Sequence, residues 1–258
     1  MSEKRPEEDS GRFDENTSVT RTQGENMGRF AAIGGGTFEE TDELVRKIVE
    51  MSRKALPNIL FIGTAAEDST NPQTSCKKSF KRVCRGTVMR KLALVRSSYT
   101  EEEIDALLCW ADIIYVCGGN TEYMLEVWEQ FGLDRKLRKL FEEDSAVLSG
   151  MTAGAICWFT DGYTDSDRYK AEEGWNFRLI RPATGVYPAL FCPHYNLPGR
   201  ERFDEIAKNF EIPSIALTDC AAFLYDNGEC SYAFSSPEAY AVEFVRSGGN
   251  VTKILHKS

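Results

Sequence analysis

The sequence predicts an α/β protein: a mostly parallel sheet with helices on both faces, followed by an irregular C-terminal part. Three observations predict it. Short apolar runs of strand length alternate with longer helix-like segments from Arg29 onward, the pattern of a chain that crosses over between parallel strands. Several of these runs are apolar at nearly every position, as strands covered on both faces are. In the C-terminal third the alternation fades and hairpin signals such as Asp226-Asn227-Gly228 replace it.

Residues 1–28 are polar and charged, with almost no large apolar side chain. Such a segment buries too little to offset the entropy of ordering, so it is expected to be a disordered or expression-derived leader. One α/β domain then spans residues 29–258, a length that supports a single large core. Phe30-Ala31-Ala32-Ile33 reads as the first strand and stops at Gly34-Gly35-Gly36-Thr37. A helix follows from Glu39 to about Ala55, ended by Pro57. Asn58 to Gly63 is a second buried strand. Thr100 is the expected N-cap of a helix over Glu101 to Leu108, because Glu103 three residues on completes a capping box. Ala111 to Cys117 is the next strand, stopping at Gly118-Gly119-Asn120-Thr121. Glu122 to Phe141 has helical patterning broken near Gly132. Ala146-Val147-Leu148-Ser149 is a short buried strand, and the apolar Ile156-Cys157-Trp158-Phe159 is expected in the helix after its turn.

Composition excludes several classes. Asp and Glu outnumber Lys and Arg 40 to 31, for a net charge of -9, and no basic stripe exists to grip nucleic acid. No apolar run has the length of a membrane span, so no membrane partner is expected. The eight cysteines are scattered without a Cys-x-x-Cys pair, which reads as reduced thiols in a cytoplasmic protein. With only two histidines beside them, no metal site is expected. Gly34-Gly35-Gly36 follows a strand but lacks the full Gly-x-Gly-x-x-Gly frame, so it reads as a tight turn and no cofactor is expected. Homo-oligomerisation stays open.

The chemistry concentrates in one segment. Gly150-Met151-Thr152-Ala153-Gly154-Ala155 follows a buried strand and has the Gly-x-nucleophile-x-Gly spacing of a nucleophile elbow. Its tip is Thr152, and a plain small-residue turn is the competing reading. A hydroxyl nucleophile needs a base, and His256 lies in a short polar tail. His194, in Leu190-Phe191-Cys192-Pro193-His194-Tyr195-Asn196, stands where an apolar strand runs into a loop. A packed or surface histidine competes with the catalytic one. Asp219 ends the strand-like Ile215-Ala216-Leu217-Thr218 and is the candidate to hold the imidazole, with a turn carboxylate as the alternative. The backbone amides of Gly119 and Ala153 are the candidate oxyanion donors.

Together, Gly118-Gly119-Asn120-Thr121, the Gly150-to-Ala155 elbow, Cys192-Pro193-His194-Tyr195 and Asp219 resemble peptidase family S51, the group of aspartyl dipeptidase (dipeptidase E) and cyanophycinase. The resemblance runs from about Phe30 to the C-terminus. It implies serine-type hydrolases on a sheet like that of class I glutamine amidotransferases, with chain order nucleophile, histidine, acid. Thr152, His194 and Asp219 stand in that order. It further implies a small peptide as the partner, and that Thr152 attacks the carbonyl, His194 takes its proton, Asp219 orients His194, and the Gly119 and Ala153 amides bind the oxyanion. An aspartyl substrate calls for a cation, for which Arg200 is the first choice and Arg202 the second, with Asn120 beside the substrate.

The chain departs from the family at the elbow, where serine is expected. The extra methyl restricts χ1 and adds steric cost in a strained turn. Three readings follow: a weak or specialised hydrolase, a catalytically impaired relative that binds a peptide or acidic metabolite, or a chain whose nucleophile has been replaced. Cys157 lies past the elbow, which disfavours a cysteine nucleophile.

Overall fold

The structure is a computed structural model and describes residues 28–169 and 176–258. The leader expected over residues 1–28 lies outside the described residues except for Gly28.

The first half of the chain alternates strand and helix. Its elements are β1 (Arg29–Ile33), α1 (Asp42–Met51), β2 (Asn58–Ile62), α2 (Thr70–Val83), β3 (Val88–Leu92), α3 (Glu101–Trp110), β4 (Ile113–Val116), α4 (Thr121–Phe131), α5 (Leu133–Glu142) and β5 (Val147–Met151). All four strand pairs among them are parallel, in the order β1-β5-β4-β2-β3. The apolar runs explain this, since every residue of β1, β4 and β5 is buried. Local signals set the helices. Thr100 accepts from the Glu103 amide and the Glu103 carboxylate accepts from the Thr100 amide, closing the expected capping box. Gly132 at φ 59° ends α4 and starts α5, whose buried stripe is Leu133, Leu137 and Phe141.

The second half departs from the expected irregularity. After α6 (Ala153–Ile156) come β6 (Phe159–Thr164), β7 (Arg178–Ile180), β8 (Tyr187–Cys192), α7 (Phe203–Asn209), β9 (Ser214–Leu217), β10 (Ala221–Asp226), β11 (Glu229–Phe234), β12 (Tyr240–Ser247) and β13 (Asn250–Lys257). β10 and β11 extend the first sheet antiparallel from the free side of β1. The others form a second sheet in the order β13-β12-β9-β8-β6-β7. Only β6-β8 and β8-β9 are parallel in it, so parallel pairing dominates the first sheet but not the whole protein. The Asp226-Asn227-Gly228 signal makes the β10–β11 hairpin, with Asn227 at φ 48° and Gly228 at φ 98°, as a two-residue turn of that hand requires.

The helix expected through Phe159 is a single turn ending at Ile156. Aromatic packing explains the change. Phe159 stacks on Phe191 of β8 at 4.3 Å and meets Phe30 of β1 edge-on at 5.6 Å, so it is drawn into a strand where both partners are in reach. Phe30 also contacts Tyr187, Phe223 and Tyr225, and this cluster joins the two sheets in one core. Among the described residues, no helix is long and apolar enough to cross a membrane.

α6 packs tightly on the end of β4. A Cβ at Gly154 would lie 2.3 Å from the Val116 carbonyl oxygen, a backbone atom with no room to give. Gly154→Ala is therefore expected to destabilise the fold by about 1–3 kcal/mol. Thermal unfolding monitored by circular dichroism should show the midpoint falling by roughly 2–4 °C per kcal/mol.

Candidate active site

Thr152 sits where β5 turns into α6. Its amide donates to the Ile33 carbonyl at 3.0 Å, and its own carbonyl accepts from Ala155 and Ile156 at 2.9 and 3.0 Å. Between them the backbone takes φ 55° and ψ -114°, outside the regions open to a β-branched residue without strain. Strain of this kind costs on the order of 1–3 kcal/mol and persists only where the surroundings enforce it. The turn thus has the strand–elbow–helix form expected, with the side chain half-buried. The hydroxyl leans toward the loop after β4: a Cβ at Gly118 would lie 2.0 Å from Thr152 Oγ1.

His194 and Asp219 come from the second sheet. His194 follows β8 and Asp219 follows β9, and these strands are adjacent and parallel. His194 Nδ1 and Asp219 Oδ1 are 2.6 Å apart. An ionised carboxylate only accepts, so Nδ1 donates and Nε2 is left as the acceptor of the neutral ring. Burial opposes the charge on Asp219, but the hydrogen bond and charge of His194, with Asn196, outweigh it and hold the carboxyl below its ordinary value. Among the described residues no hydrogen bond joins Thr152 Oγ1 to His194, whose ring bond is the one to Asp219.

The pair is seated over the end of β1. A Cβ at Gly35 would lie 2.0 Å from Asp219 Oδ1 and 2.4 Å from His194 Nδ1, so only glycine leaves the space. Backbone bonds hold the contact: His194 N–H to Gly34 O at 3.2 Å and Cys220 N–H to Gly35 O at 3.0 Å. β1 also borders β5, so Thr152 and the His194–Asp219 pair share one edge of the first sheet.

The remaining candidates divide. Among the described residues, the Gly119 and Ala153 amides donate to no backbone carbonyl outside regular helices and strands, as oxyanion donors require. Asn120 caps α4, its side-chain oxygen accepting from the Tyr123 amide at 3.2 Å, while its own amide donates to Ala65 O at 2.8 Å. Arg200 is buried at 3% exposure; its guanidinium donates to Tyr163 O at 3.1 Å, pairs with Asp165 at 3.7 Å and lies 4.3 Å over the Phe177 ring. Arg202 is exposed and lines a cleft of about 830 Å³ with Tyr163, Phe177, Leu197 and Glu201. Burial pushes the Cys157 thiol up, which keeps it from acting as a thiolate. Among the described residues no group of three or more His, Cys, Asp or Glu side chains could hold a metal.

Two site residues carry no clear mark in the sequence. Gly35 reads as a turn, yet it makes the seat of the pair. Asn196 accepts from the Asp219 amide at 2.9 Å and donates to Asp219 Oδ2 at 3.3 Å, so it grips the carboxylate from the side opposite His194. The signal available was its place two residues past His194 in a polar loop; its partner is 23 residues away.

Comparison with known proteins places this geometry in context. Residues 30–232 match the model of peptidase family S51. The chain is 29% identical over 234 residues to the uncharacterized peptidase YgaJ of Bacillus subtilis (strain 168), covering 89% of this chain and 93% of that protein. A crystal structure of a candidate peptidase E protein from Listeria monocytogenes EGD-e superposes with a TM-score of 0.62 at 20% identity, covering 81% of this chain and all of that one. A peptidase from an acI-B1 Actinobacterium superposes at 0.60 with 16% identity, over 92% of this chain and 99% of that one. At those identities the two structures show the fold.

The Asp219 environment has a consequence for acid stability. Because its carboxyl is held low in the fold, the stabilisation is complete above the unfolded value of about 3.9 and is lost as pH falls through the folded value. Asp219→Asn should remove that dependence. Urea midpoints of the two proteins, measured from about pH 6 to pH 3, should differ most at the upper end and converge toward the lower.

Proposed function

The chain belongs to peptidase family S51, and on that premise we propose that it hydrolyses small peptides, including aspartate-containing ones, through Thr152, His194 and Asp219. The observation that carries this reading is the 2.6 Å His194 Nδ1–Asp219 Oδ1 contact, on the same sheet edge as the Thr152 elbow. Asp219 fixes the tautomer in which Nε2 is the base. Thr152 Oγ1 attacks the scissile carbonyl as Nε2 takes its proton, forming an ester and, once His194 returns the proton, releasing the amine. Water activated by the same nitrogen then hydrolyses the ester. The Gly119 and Ala153 amides donate to the oxyanion in both steps. Arg202, exposed at the cleft, is the candidate to meet a substrate carboxylate in place of Arg200, which is buried against Tyr163 and Asp165. Asn120 caps α4. The eight cysteines are all free, which supports a reducing, cytoplasmic setting.

A second reading has its own support. The Thr152 hydroxyl leans to Gly118 and makes no bond to His194 among the described residues, and its β-branched side chain resists reorientation. A protein so built binds its peptide or acidic metabolite and turns it over poorly. Serine removes the obstacle without altering the machinery.

Hydrolysis of Asp-Leu and a small dipeptide panel tests both. Thr152→Ser is expected to raise kcat/KM by roughly tenfold to a hundredfold, the scale on which a misplaced reacting group slows a reaction. His194→Ala in that background should abolish turnover. Peptide binding by calorimetry with no turnover in either form would decide for the binding protein.

A further inference from the structure

His194 carries a backbone angle of φ 54°, a left-handed conformation that a residue with a side chain holds only under restraint. One restraint is Asn196, through Asp219. The other begins at Tyr195. Its amide donates to Leu217 O at 3.0 Å, tying the main chain to the end of β9. Its ring lies edge-on to Phe203 of α7 and Tyr240 of β12 at 6.2 and 6.1 Å. Its hydroxyl donates to Asp204 of α7. Burial, followed by the Asp204 bond, pushes that hydroxyl up to about 12, so it remains a neutral donor. Lys253 of β13 closes the cluster: Nζ donates to Asp204 Oδ2 at 2.5 Å and to Tyr195 Oη at 3.1 Å, and lies over the Tyr195 and Phe244 rings at 5.7 and 5.5 Å.

We propose that Lys253 is a positioning residue for His194, acting through Asp204 and Tyr195. The C-terminal hairpin β12–β13 thereby sets the direction of an imidazole that belongs to another strand end. Lys253 lies beyond residues 30–232, so the family assignment does not by itself imply this role. A side chain half in solvent adds little to global stability. What it does fix is the residue next to the histidine, where a displacement of about an ångström costs up to about a hundredfold in rate. As a statement about catalysis the inference rests on the hydrolytic reading above; as a statement about the histidine it does not.

The chain has two histidines, so imidazole resonances are assignable by His194→Ala. The proton shared by His194 Nδ1 and Asp219 should appear as a downfield, slowly exchanging resonance in the full-length protein. Lys253→Met is expected to broaden or shift that resonance, while the melting temperature moves by no more than about 4 °C. In the Thr152→Ser background it should lower kcat by roughly tenfold to a hundredfold with little change in KM. Lys253→Arg should retain both the resonance and the rate. Asp204→Asn serves as the second variant should Lys253→Met not fold, with the same expectation. An unaltered His194 resonance in folded Lys253→Met or Asp204→Asn would overturn the proposal. A resonance that responds while Thr152→Ser hydrolyses nothing supports the positioning role and removes the peptidase reading.

Discussion

The site depends on one close approach, that of the His194–Asp219 pair to the backbone at Gly35. The two side chains come from the loops that follow adjacent strands of the second sheet, and Gly35 from the turn that follows β1 in the first. At 2.0 Å from Asp219 Oδ1, the position of a Cβ there is already occupied. Any side chain would lift the pair away from the edge on which Thr152 stands. The relation between the sheets is therefore also the relation between His194 and Thr152.

That relation is held by packing rather than by the polar groups themselves. Phe30, from the first strand, touches Phe159 and Tyr187 of the second sheet and Phe223 and Tyr225 of β10. Removing a fully buried phenylalanine from such a cluster costs about 3–5 kcal/mol. Against that background the core can sustain left-handed backbone at Thr152, His194 and Cys220, each a local cost of about 1–3 kcal/mol. The strained residues flank the contact that the packing enforces, which is where a preorganised site stores its strain.

Threonine at the elbow sharpens the functional question. The acid–imidazole half of the site is assembled, with the carboxyl held in its ionised form by His194 and Asn196 against the cost of burial. The hydroxyl half is turned toward Gly118. The methyl of Thr152 limits the rotamers through which Oγ1 can approach His194 Nε2.

Local order determined much of this protein in advance. Continuous apolar runs marked the parallel strands, Thr100 and Glu103 marked a helix start, and Asn227-Gly228 marked a hairpin, because each signal acts over a few residues. The chain order of Thr152, His194 and Asp219 was legible for the same reason: each stands at the end of an apolar run. Only tertiary structure decided that Phe159 opens a strand instead of continuing the helix, that the C-terminal third forms regular strands, and that Gly35 seats the pair. It alone joined Asn196 to Asp219 and Lys253 to Tyr195. Those contacts link residues whose sequence neighbourhoods carry no trace of one another, and they arise where aromatic packing brings two sheets to a common edge.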